Sequence, residues 1–464
     1  MKNRTKLVAA LMGSLLFLTA AGQPPTLREP VYGTDAKAGD PIGTRNFADP
    51  SLLLVGRSFY AYSTSSTGAD PRNIGVMTSR DLWKWTYPGG GLTPAEAMPN
   101  PPAWAWSVAE GGEFWAPTVG KFGTNKYVMY FGARSKSSPA SQPTWCIGYA
   151  TASKPEGPYT GANSPLFCRI EGSSLTSNSL RNNGAIDPQV FVDTDGTSYL
   201  HWKAENNPVQ LWGVKLSNNG RSIVGAAAPM VPMAGFDQTA WEYSQRLGFT
   251  ILENPAMDRD PKTGKYYMYY SGGEWQDSSY ATGYATCSSP LGPCQRVTVA
   301  EPWLVSRGDR IGPGGLSVVR DAKGRTFAAF HSWEAGKENT NTGRSLHIEP
   351  LVYSRGIPKF GNKKPLGKVG KPKRTSSDFI IRGWAYDRDS GQVLKVRLMK
   401  RGQIIDQARA TRSRPRPSAA KYPHAGKRRG FQLRTNDLSP GRYCVVALDD
   451  RTGKAKRIGC RRVG

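Results

Sequence analysis

Residues 185–203 read AIDPQVFVDTDGTSYLHWK, and the pattern in this stretch decides the fold. A residue before proline opens it, and an apolar strand, a polar turn and an aromatic-rich strand follow. Four further copies share the pattern: ADPSLLLVGRSFYAYST from Ala48, WAPTVGKFGTNKYVMYFGA from Trp115, ENPAMDRDPKTGKYYMYYSG from Glu253 and GPGGLSVVRDAKGRTFAAFHSW from Gly312. The prolines of the five copies lie 67, 71, 67 and 58 residues apart and are Pro50, Pro117, Pro188, Pro255 and Pro313. Self-similarity of this kind indicates a repeat architecture.

Further strand-like runs lie between the copies, such as IGVMTSRDLWKW from Ile74 and TGYATCSSPLGPC from Thr282. Each repeat therefore supplies three or four strands, which is the content of one β-propeller blade. The 52 Gly and 35 Pro residues of the chain agree with many turns between short strands. We expect an all-β protein with a five-bladed β-propeller over residues 46–355, because an array of β-sandwiches would not require aligned proline starts.

Three of the five repeat starts carry an acid. Asp49 precedes Pro50, Asp187 precedes Pro188, and Glu253 lies two residues before Pro255, whereas the other two copies carry Ala116 and Gly312. If the repeated strand is the innermost one, the three carboxylates converge at one mouth of a central funnel. Clustered anions repel and raise at least one pKa, and glycoside hydrolysis uses one neutral and one ionised carboxyl group. A single Asp-Pro is more often a turn opener, and a calcium site is the other alternative, although no D-x-D-x-D-G loop occurs.

The motifs around these acids resemble those of glycoside hydrolase family 43; among them are NFADPS at 46–51, FWAPTV at 114–119, LENPAM at 252–257, IGPGG at 311–315 and GRSLHIEPLVY at 343–353. The resemblance covers roughly Asn46 to Lys359 and implies a five-bladed propeller enzyme that inverts anomeric configuration. It implies Asp49 as general base, Glu253 as general acid, and Asp187 as the carboxylate that orients the acid and keeps its pKa raised. Two positions depart from the family pattern: Asn254 replaces a glycine and Gly315 replaces a histidine.

Four substrate-binding residues are expected, two from the same resemblance and two from their position in the repeat. His331, in AAFHSW, is expected in the funnel, and Arg344 is expected near the substrate. Phe114 and Trp115 open the second repeat, where an aromatic face can stack on a sugar. The alternatives are a hydrogen-bonded core histidine, a surface arginine and aromatic packing in the core.

The substrate class implied by the resemblance is a furanoside or pentoside in a cell-wall polymer such as arabinan or arabinoxylan. A β-xylosidase or exo-galactanase on the same fold is the alternative enzyme, and a carbohydrate-binding propeller without turnover is the alternative of another class. No cofactor is expected and no metal ligands are assigned, while a structural calcium ion near the propeller axis remains open.

The N-terminus predicts export. Lys2, Arg4 and Lys6 precede an apolar run that ends in small residues, so residues 1–22 are expected to be a signal peptide and residues 23–45 an N-terminal segment. No other segment is long and apolar enough to span a membrane. Six cysteines fit a secreted protein, and we expect local pairing: Cys146–Cys168, Cys287–Cys294 and Cys444–Cys460. Zinc is the alternative, but C-x₂-C spacing is lacking.

The net charge of +27 is concentrated at the C-terminus, where residues 351–464 carry 30 Lys and Arg against 7 Asp and Glu. We expect a basic Lys/Gly/Pro linker at 356–377 and a small basic β-sandwich at 378–464, in which strand patterns alternate. RGWAYDRDS at 382–390 and YCVVAL at 443–448 resemble an accessory module of secreted bacterial proteins. Such a domain would bind an anionic cell-wall polymer, or would only keep the protein soluble. The export signal argues against nucleic acid as partner, and a monomer is expected.

Overall fold

The computed structural model describes residues 46–463 apart from gaps at 68–70, 83–84, 89–94, 139–143, 169–183, 205–209, 232–237, 308–309, 341–342, 362–364, 387–392, 414–427 and 449–454. The predicted signal peptide and N-terminal segment lie outside these residues. Regular structure in the described part consists of β-strands and short 3₁₀ turns, which confirms the all-β prediction. None of its helical segments is long and apolar enough to cross a membrane.

Five antiparallel sheets form the first part of the described chain, and their strands pair in chain order. The first sheet contains Ser51–Val55 (β1), Ser58–Ser63 (β2), Gly75–Ser79 (β3) and Trp85–Thr86 (β4), with Ala95–Glu96 (β5) also paired to β3. The second contains Phe114–Lys121 (β6), Tyr127–Arg134 (β7), Trp145–Ala152 (β8) and Thr160–Gly161 (β9). The third contains Ala185–Val192 (β10), Ser198–Ala204 (β11), Gln210–Leu216 (β12) and Ile223–Pro229 (β13).

The fourth and fifth sheets follow a short hairpin made of Tyr243–Ser244 (β14) and Phe249–Thr250 (β15). The fourth contains Glu253–Arg259 (β16), Tyr266–Gly272 (β17), Ala281–Cys287 (β18) and Cys294–Arg296 (β19). The fifth contains Arg310–Arg320 (β20), Thr326–Glu334 (β21), Ser345–Ser354 (β22) and Ile357–Phe360 (β23). The first strands of successive sheets touch one another, and β20 also touches β1, so the five first strands close into a ring.

An apolar core fills each junction between neighbouring sheets. Phe59 and Met77 of the first sheet pack with Phe327 and Ile348 of the fifth, which closes the ring. Separate buried clusters join the first to the second sheet, the second to the third, the third to the fourth and the fourth to the fifth. Each fully buried side chain of this size contributes about 1.5–3 kcal/mol, so the aromatic-rich second strands hold the sheets together.

Each first strand is preceded by or contains a residue with left-handed backbone geometry, and β20 contains a second one, Gly312 (60°). These residues and their φ values are Asp49 (48°), Ala116 (44°), Asp187 (55°), Asn254 (50°) and Gly315 (59°). In the second to fifth sheets the ladder register shifts at this point. A left-handed residue before proline is disfavoured, and strain of this kind concentrates at functional sites.

The structure corrects the alignment of the fifth repeat. The sequence pattern aligned Pro313 with the other prolines, and therefore Gly312 with the acids. A cavity lies where the five first strands begin. In the fifth sheet it is lined by Gly315 and Leu316, which correspond to Asp49 and Pro50 of the first sheet. In the fifth copy both Gly312, which precedes Pro313, and Gly315 have left-handed geometry, and of these two only Gly315 lines the cavity.

The three predicted disulfides are confirmed: Cys146–Cys168, Cys287–Cys294 and Cys444–Cys460. Cys287 and Cys294 lie opposite each other on β18 and β19. No free cysteine is found among the described residues.

The C-terminal region contains two more antiparallel sheets. The sixth contains Leu366–Val369 (β24), Lys373–Arg374 (β25), Phe379–Tyr386 (β26), Arg412–Ser413 (β29) and Arg428–Thr435 (β30). The seventh contains Lys395–Lys400 (β27), Gln403–Arg409 (β28), Gly441–Leu448 (β31) and Ala455–Val463 (β32). Both sheets contribute to one apolar core, with Phe379 and Leu433 from the sixth and Val396 and Val445 from the seventh.

The segment predicted as a linker, 356–377, contains strands of both regions. Ile357–Phe360 pairs with β22 at the edge of the fifth sheet, whereas Leu366–Val369 and Lys373–Arg374 pair with β26. The connection between the two regions is therefore limited to about residues 361–365. These strands were not predicted because the segment is rich in Lys, Gly and Pro. Two of them lie at sheet edges, where proline is tolerated.

Candidate active site

The starts of the five first strands surround an axial cavity of about 260 Å³, including the solvent at its mouth. Asp49 and Asp187 line this cavity, and so does Asn254, the residue after Glu253. The structure thus brings the three predicted carboxylates to one end of the ring. No cluster of three or more His, Cys, Asp or Glu side chains suited to a metal ion occurs in the described part of the chain.

Asp49 is held by contacts from the first and fifth sheets. Thr64, just after β2, donates its hydroxyl to Asp49 Oδ2 at 2.6 Å and accepts the backbone N–H of Ala116 at 2.9 Å. Arg344 Nη2 lies 3.7 Å from the same Oδ2. The backbone N–H of Asp49 donates to His331 Nδ1 at 2.9 Å. These contacts fix the carboxylate and leave Oδ1 as the oxygen without a hydroxyl donor.

Asp187 is buried, and its Oδ2 accepts the backbone N–H of Asn254 at 3.0 Å. Burial, and then the neighbouring Glu253 carboxylate, raises the pKa of Asp187 well above its usual range, although Lys203 acts in the opposite direction. The carboxyl group of Asp187 is therefore a neutral or proton-sharing group beside Glu253.

Glu253 receives two donors that its own strand does not supply. Lys203 Nζ, at the end of β11, lies 2.9 Å from Oε2, and the Tyr280 hydroxyl donates to Oε1 at 2.6 Å. Tyr280 is fully buried, and burial followed by the charge of Glu253 raises its pKa, so the hydroxyl keeps its proton. Asn254 Nδ2 also donates to the Tyr280 oxygen at 3.1 Å.

Sequence analysis did not single out Lys203, Tyr280 or Thr64. Lys203 ends the repeat stretch quoted first, and Tyr280 lies two residues before the strand-like run that begins at Thr282. A lysine at the end of an otherwise apolar inner strand was the available signal, because a buried lysine requires a partner.

His331 and Arg344, expected from the sequence in the funnel and near the substrate, both lie beside Asp49. His331 is fully buried on β21, and burial together with Arg344 lowers its pKa well below the usual value, so the imidazole is neutral. Arg344 Nη1 lies 3.2 Å from His331 Nε2, and its guanidinium lies 4.9 Å from the centre of the Trp275 ring. Trp275, which the sequence analysis missed, is partly exposed. Its ring contacts the Arg344 guanidinium, which in turn contacts Asp49.

Phe114 and Trp115 differ in location. Phe114 is fully buried and packs edge-on against Phe131, so the structure places it in the core and not at the cavity. Trp115 is partly exposed and stacks on Trp145, with 3.8 Å between ring centres. Trp115 directly precedes the left-handed residue of its repeat, which is the position that Glu253 takes in the fourth sheet.

This combination of groups suits cleavage of a glycosidic bond. Glycosidases require two carboxyl groups that differ in protonation. Here the carboxyl groups lie at a cavity that has neutral hydroxyl donors and aromatic faces around it. The arrangement needs only water as co-reactant.

Comparison with known proteins gives the same class. The family profile "Glycosyl hydrolases family 43" matches residues 38–358. A β-D-galactofuranosidase of Aspergillus niger is 26% identical over 269 residues, which is 56% of this chain and 66% of the relative. The extracellular endo-α-(1→5)-L-arabinanase 2 of Bacillus subtilis is 27% identical over 433 residues, 82% of this chain and 85% of the relative. A solved structure described as a thermostable family-43 glycoside hydrolase superposes with a TM-score of 0.54 at 25% identity, covering 70% of this chain and 96% of that one.

The chain therefore belongs to glycoside hydrolase family 43, whose members hydrolyse O-glycosyl bonds without a cofactor.

Proposed function

We propose that this protein is an inverting glycoside hydrolase that cleaves arabinofuranosyl linkages in arabinan or arabinoxylan. The observation that carries the proposal is the convergence of Asp49, Asp187 and Glu253 at one end of the closed ring of strands. The relatives support the substrate class, since one is an endo-arabinanase and another a galactofuranosidase by name.

The scaffold that we propose is a five-bladed β-propeller followed by a small β-sandwich. The contacts of β20 with β1, and the five inter-sheet cores, support the propeller. The shared core of the sixth and seventh sheets supports the sandwich. The domain bounds follow as about 46–360 and 366–463.

In the proposed mechanism Asp49 is the general base. Thr64 and Arg344 engage Oδ2, so Oδ1 accepts the proton of the water that attacks the anomeric carbon. Neutral His331 fixes the Asp49 backbone without competing for that proton. Inversion requires roughly 6.5–9.5 Å between base and acid so that the water fits between them.

Glu253 is the proposed general acid. It donates its proton to the glycosidic oxygen as the bond to the anomeric carbon breaks, and Lys203 and Tyr280 then stabilise the carboxylate that forms. Asp187, whose pKa is raised by burial and by Glu253, orients the acid through the Asn254 backbone and keeps a proton at the pair. Trp115, Arg344 and Trp275 are the proposed substrate-binding side chains.

The experiment is a panel assay of the full chain against linear arabinan, branched arabinan, arabinoxylan, galactan and aryl pentosides. Glu253→Gln should lower activity on polymers 10²–10⁴-fold, roughly the contribution of a general acid, and should lower activity on activated aryl glycosides less. Asp49→Asn should abolish both activities. Asp321→Asn is the matched control, since Asp321 is another carboxylate with a cationic partner, Arg325 at 2.6 Å, but lies in the turn between β20 and β21, at the far end of β20 from Gly315.

Product analysis discriminates among the alternatives. Arabinose or arabino-oligosaccharides with inverted configuration would support the proposal. Release of xylose or galactose alone would assign the xylosidase or galactanase function. Binding of a polymer that is never cleaved, with Glu253→Gln unchanged, would assign a carbohydrate-binding protein and end the catalytic proposal.

We also propose that the protein acts outside the cell as a monomer and that its basic C-terminal region binds an anionic polymer there. The disulfides and the extracellular arabinanase relatives support export. All the proposed catalytic side chains come from one chain, so no partner subunit is needed. The excess of Lys and Arg after residue 350 supports the anionic partner.

A further inference from the structure

One face of the seventh sheet carries only basic and uncharged side chains. Alternation along its four strands directs six cations to the side opposite the core, and we call this set the cationic face: Lys395, Arg397, Arg409, Arg442, Arg457 and Arg462. Five of the six are exposed and Arg397 is half-buried. None of them forms an ion pair with an acid in the part of the chain that the structure describes.

The cations of this face oppose one another across the ladder. Lys395 lies directly opposite Arg409 on β27 and β28, and Arg442 lies directly opposite Arg462 on β31 and β32. Like charges in such positions destabilise a sheet. The sheet has one acid, Asp406, and its Oδ2 accepts the backbone N–H of Arg434 on the sixth sheet. The arrangement therefore lowers stability unless an external anion lies against the face.

The corresponding face of the sixth sheet differs in its apolar residues. It also carries exposed cations, among them Lys368 and Arg382, but its outward Ile380, Trp384 and Tyr386 are only 8%, 4% and 8% exposed. On the cationic face, by contrast, Ile404 is 50% exposed, and Met399 and Val446 are partly exposed. The cationic face is thus accessible and has apolar patches between its charges.

We propose that the cationic face binds an acidic polysaccharide through its carboxylate groups. This inference rests on the proposed anionic partner and specifies its surface and chemistry. Guanidinium groups bind carboxylates in a bidentate manner. The exposed Ile404, Met399 and Val446 side chains provide contact for sugar rings, which a compact phosphate ion would not use. The Lys395–Arg409 and Arg442–Arg462 pairs lie at opposite ends of the sheet, and Arg397 and Arg457 lie between them. The face therefore offers cations along its whole length to an extended chain.

The test uses the full chain and polygalacturonate as probe, with dextran as the neutral polymer, in affinity electrophoresis and titration calorimetry between 20 mM and 500 mM NaCl. The face variant combines Lys395→Gln, Arg409→Gln, Arg442→Gln and Arg462→Gln. The matched control removes the same charge from exposed cations of the sixth sheet: Lys368→Gln, Arg382→Gln, Arg412→Gln and Arg428→Gln. Hydrolysis of an aryl arabinofuranoside by both variants reports that the catalytic region is folded.

We expect at least tenfold weaker polygalacturonate binding by the face variant and less than threefold weakening by the control. Binding by the wild type should weaken steeply with salt, and dextran should not bind. Relief of the opposed charges should raise the melting temperature of the face variant without polymer, an effect that a merely structural role of these residues would not produce.

Equal loss of polygalacturonate binding in both variants would overturn the assignment to this face but would leave the proposal of an anionic partner standing. Absence of polygalacturonate binding by the wild type would overturn both. Tighter binding of double-stranded DNA than of polygalacturonate at equal salt would overturn the polysaccharide assignment. None of these outcomes depends on hydrolysis, so failure of the catalytic proposal would be seen separately.

Discussion

Lys203 and Glu253 form a buried ion pair between the third and fourth sheets, with 2.9 Å from Nζ to Oε2 and side chains only 8% and 13% exposed. The pair fixes the position of the Glu253 carboxyl group and places a positive charge where negative charge develops when the proposed general acid gives up its proton.

Replacement of Lys203 by Met should lower kcat on polymers roughly tenfold or more, because Glu253 loses the cation that stabilises its carboxylate after proton transfer. Lys203→Arg, which keeps the charge, should retain most of the wild-type kcat. An unchanged kcat in Lys203→Met, with folded protein, would show that Lys203 does not influence the acid.

Asn254 should be replaceable by Gly but not by Ala. Its φ of 50° is left-handed, and glycine adopts this geometry without strain, whereas alanine loses about 1–2 kcal/mol. Asn254→Gly removes only the contact with Tyr280, so its kcat should stay within a few-fold of wild type, and its backbone N–H should still bind Asp187. Thermal unfolding and polymer hydrolysis compare the two variants; equal stability of both would contradict the backbone argument.

Gly315→Ala should lower kcat at least tenfold. A Cβ atom at this position would lie 2.6 Å from His331 Nδ1 and 3.0 Å from Asp49 Oδ1, and His331 is fully buried and unable to withdraw. Gly324→Ala is the matched control, because Gly324 also has a positive φ but no atom within 4 Å of the added carbon. Both variants should lose about 1 kcal/mol from backbone strain, and only Gly315→Ala should lose turnover.

Stability should fall as the pH drops below about 6.5. Burial lowers the pKa of His201 from 6.5 to about 4, so between these values the unfolded chain binds a proton that the folded chain does not. The free energy of unfolding therefore decreases on acidification by up to about 1.4 kcal/mol per pH unit for this group. Urea unfolding between pH 7.5 and 4.5 measures the slope. His201→Gln, which keeps a donor for the Pro290 carbonyl, should reduce it.

The sequence pattern predicted the residues that the repeat itself carries. Asp49, Asp187 and Glu253 could be recognised because each lies at a repeat start, and His331 and Arg344 because they lie in family-like motifs. Lys203 and Tyr280 could not, since they reach Glu253 from strands of two different sheets. The direction of these two side chains depends on ladder register and on the packing between sheets, which no local sequence pattern encodes.

The contrast between Phe114 and Trp115 shows a second limit of prediction from the sequence. Both are aromatic and adjacent, and only strand alternation decides which one faces the core. The left-handed geometry of Ala116 and the register shift between Trp115 and Thr118 change that alternation locally. The fifth repeat has this geometry twice, at Gly312 before Pro313 and at Gly315, and the sequence motif does not indicate which of the two lines the cavity.

The hydrogen bond from Asp49 to His331 has a consequence for the timing of biosynthesis. The two residues are 282 positions apart in the chain. At about 5–20 residues per second, translation needs roughly 15–60 s to proceed from one to the other. Throughout that interval a nascent chain contains Asp49 without the histidine that anchors it, whereas Asp187 and Glu253 are separated by only 66 residues. Hydrolytic activity thus first becomes attainable when the fifth sheet leaves the ribosome.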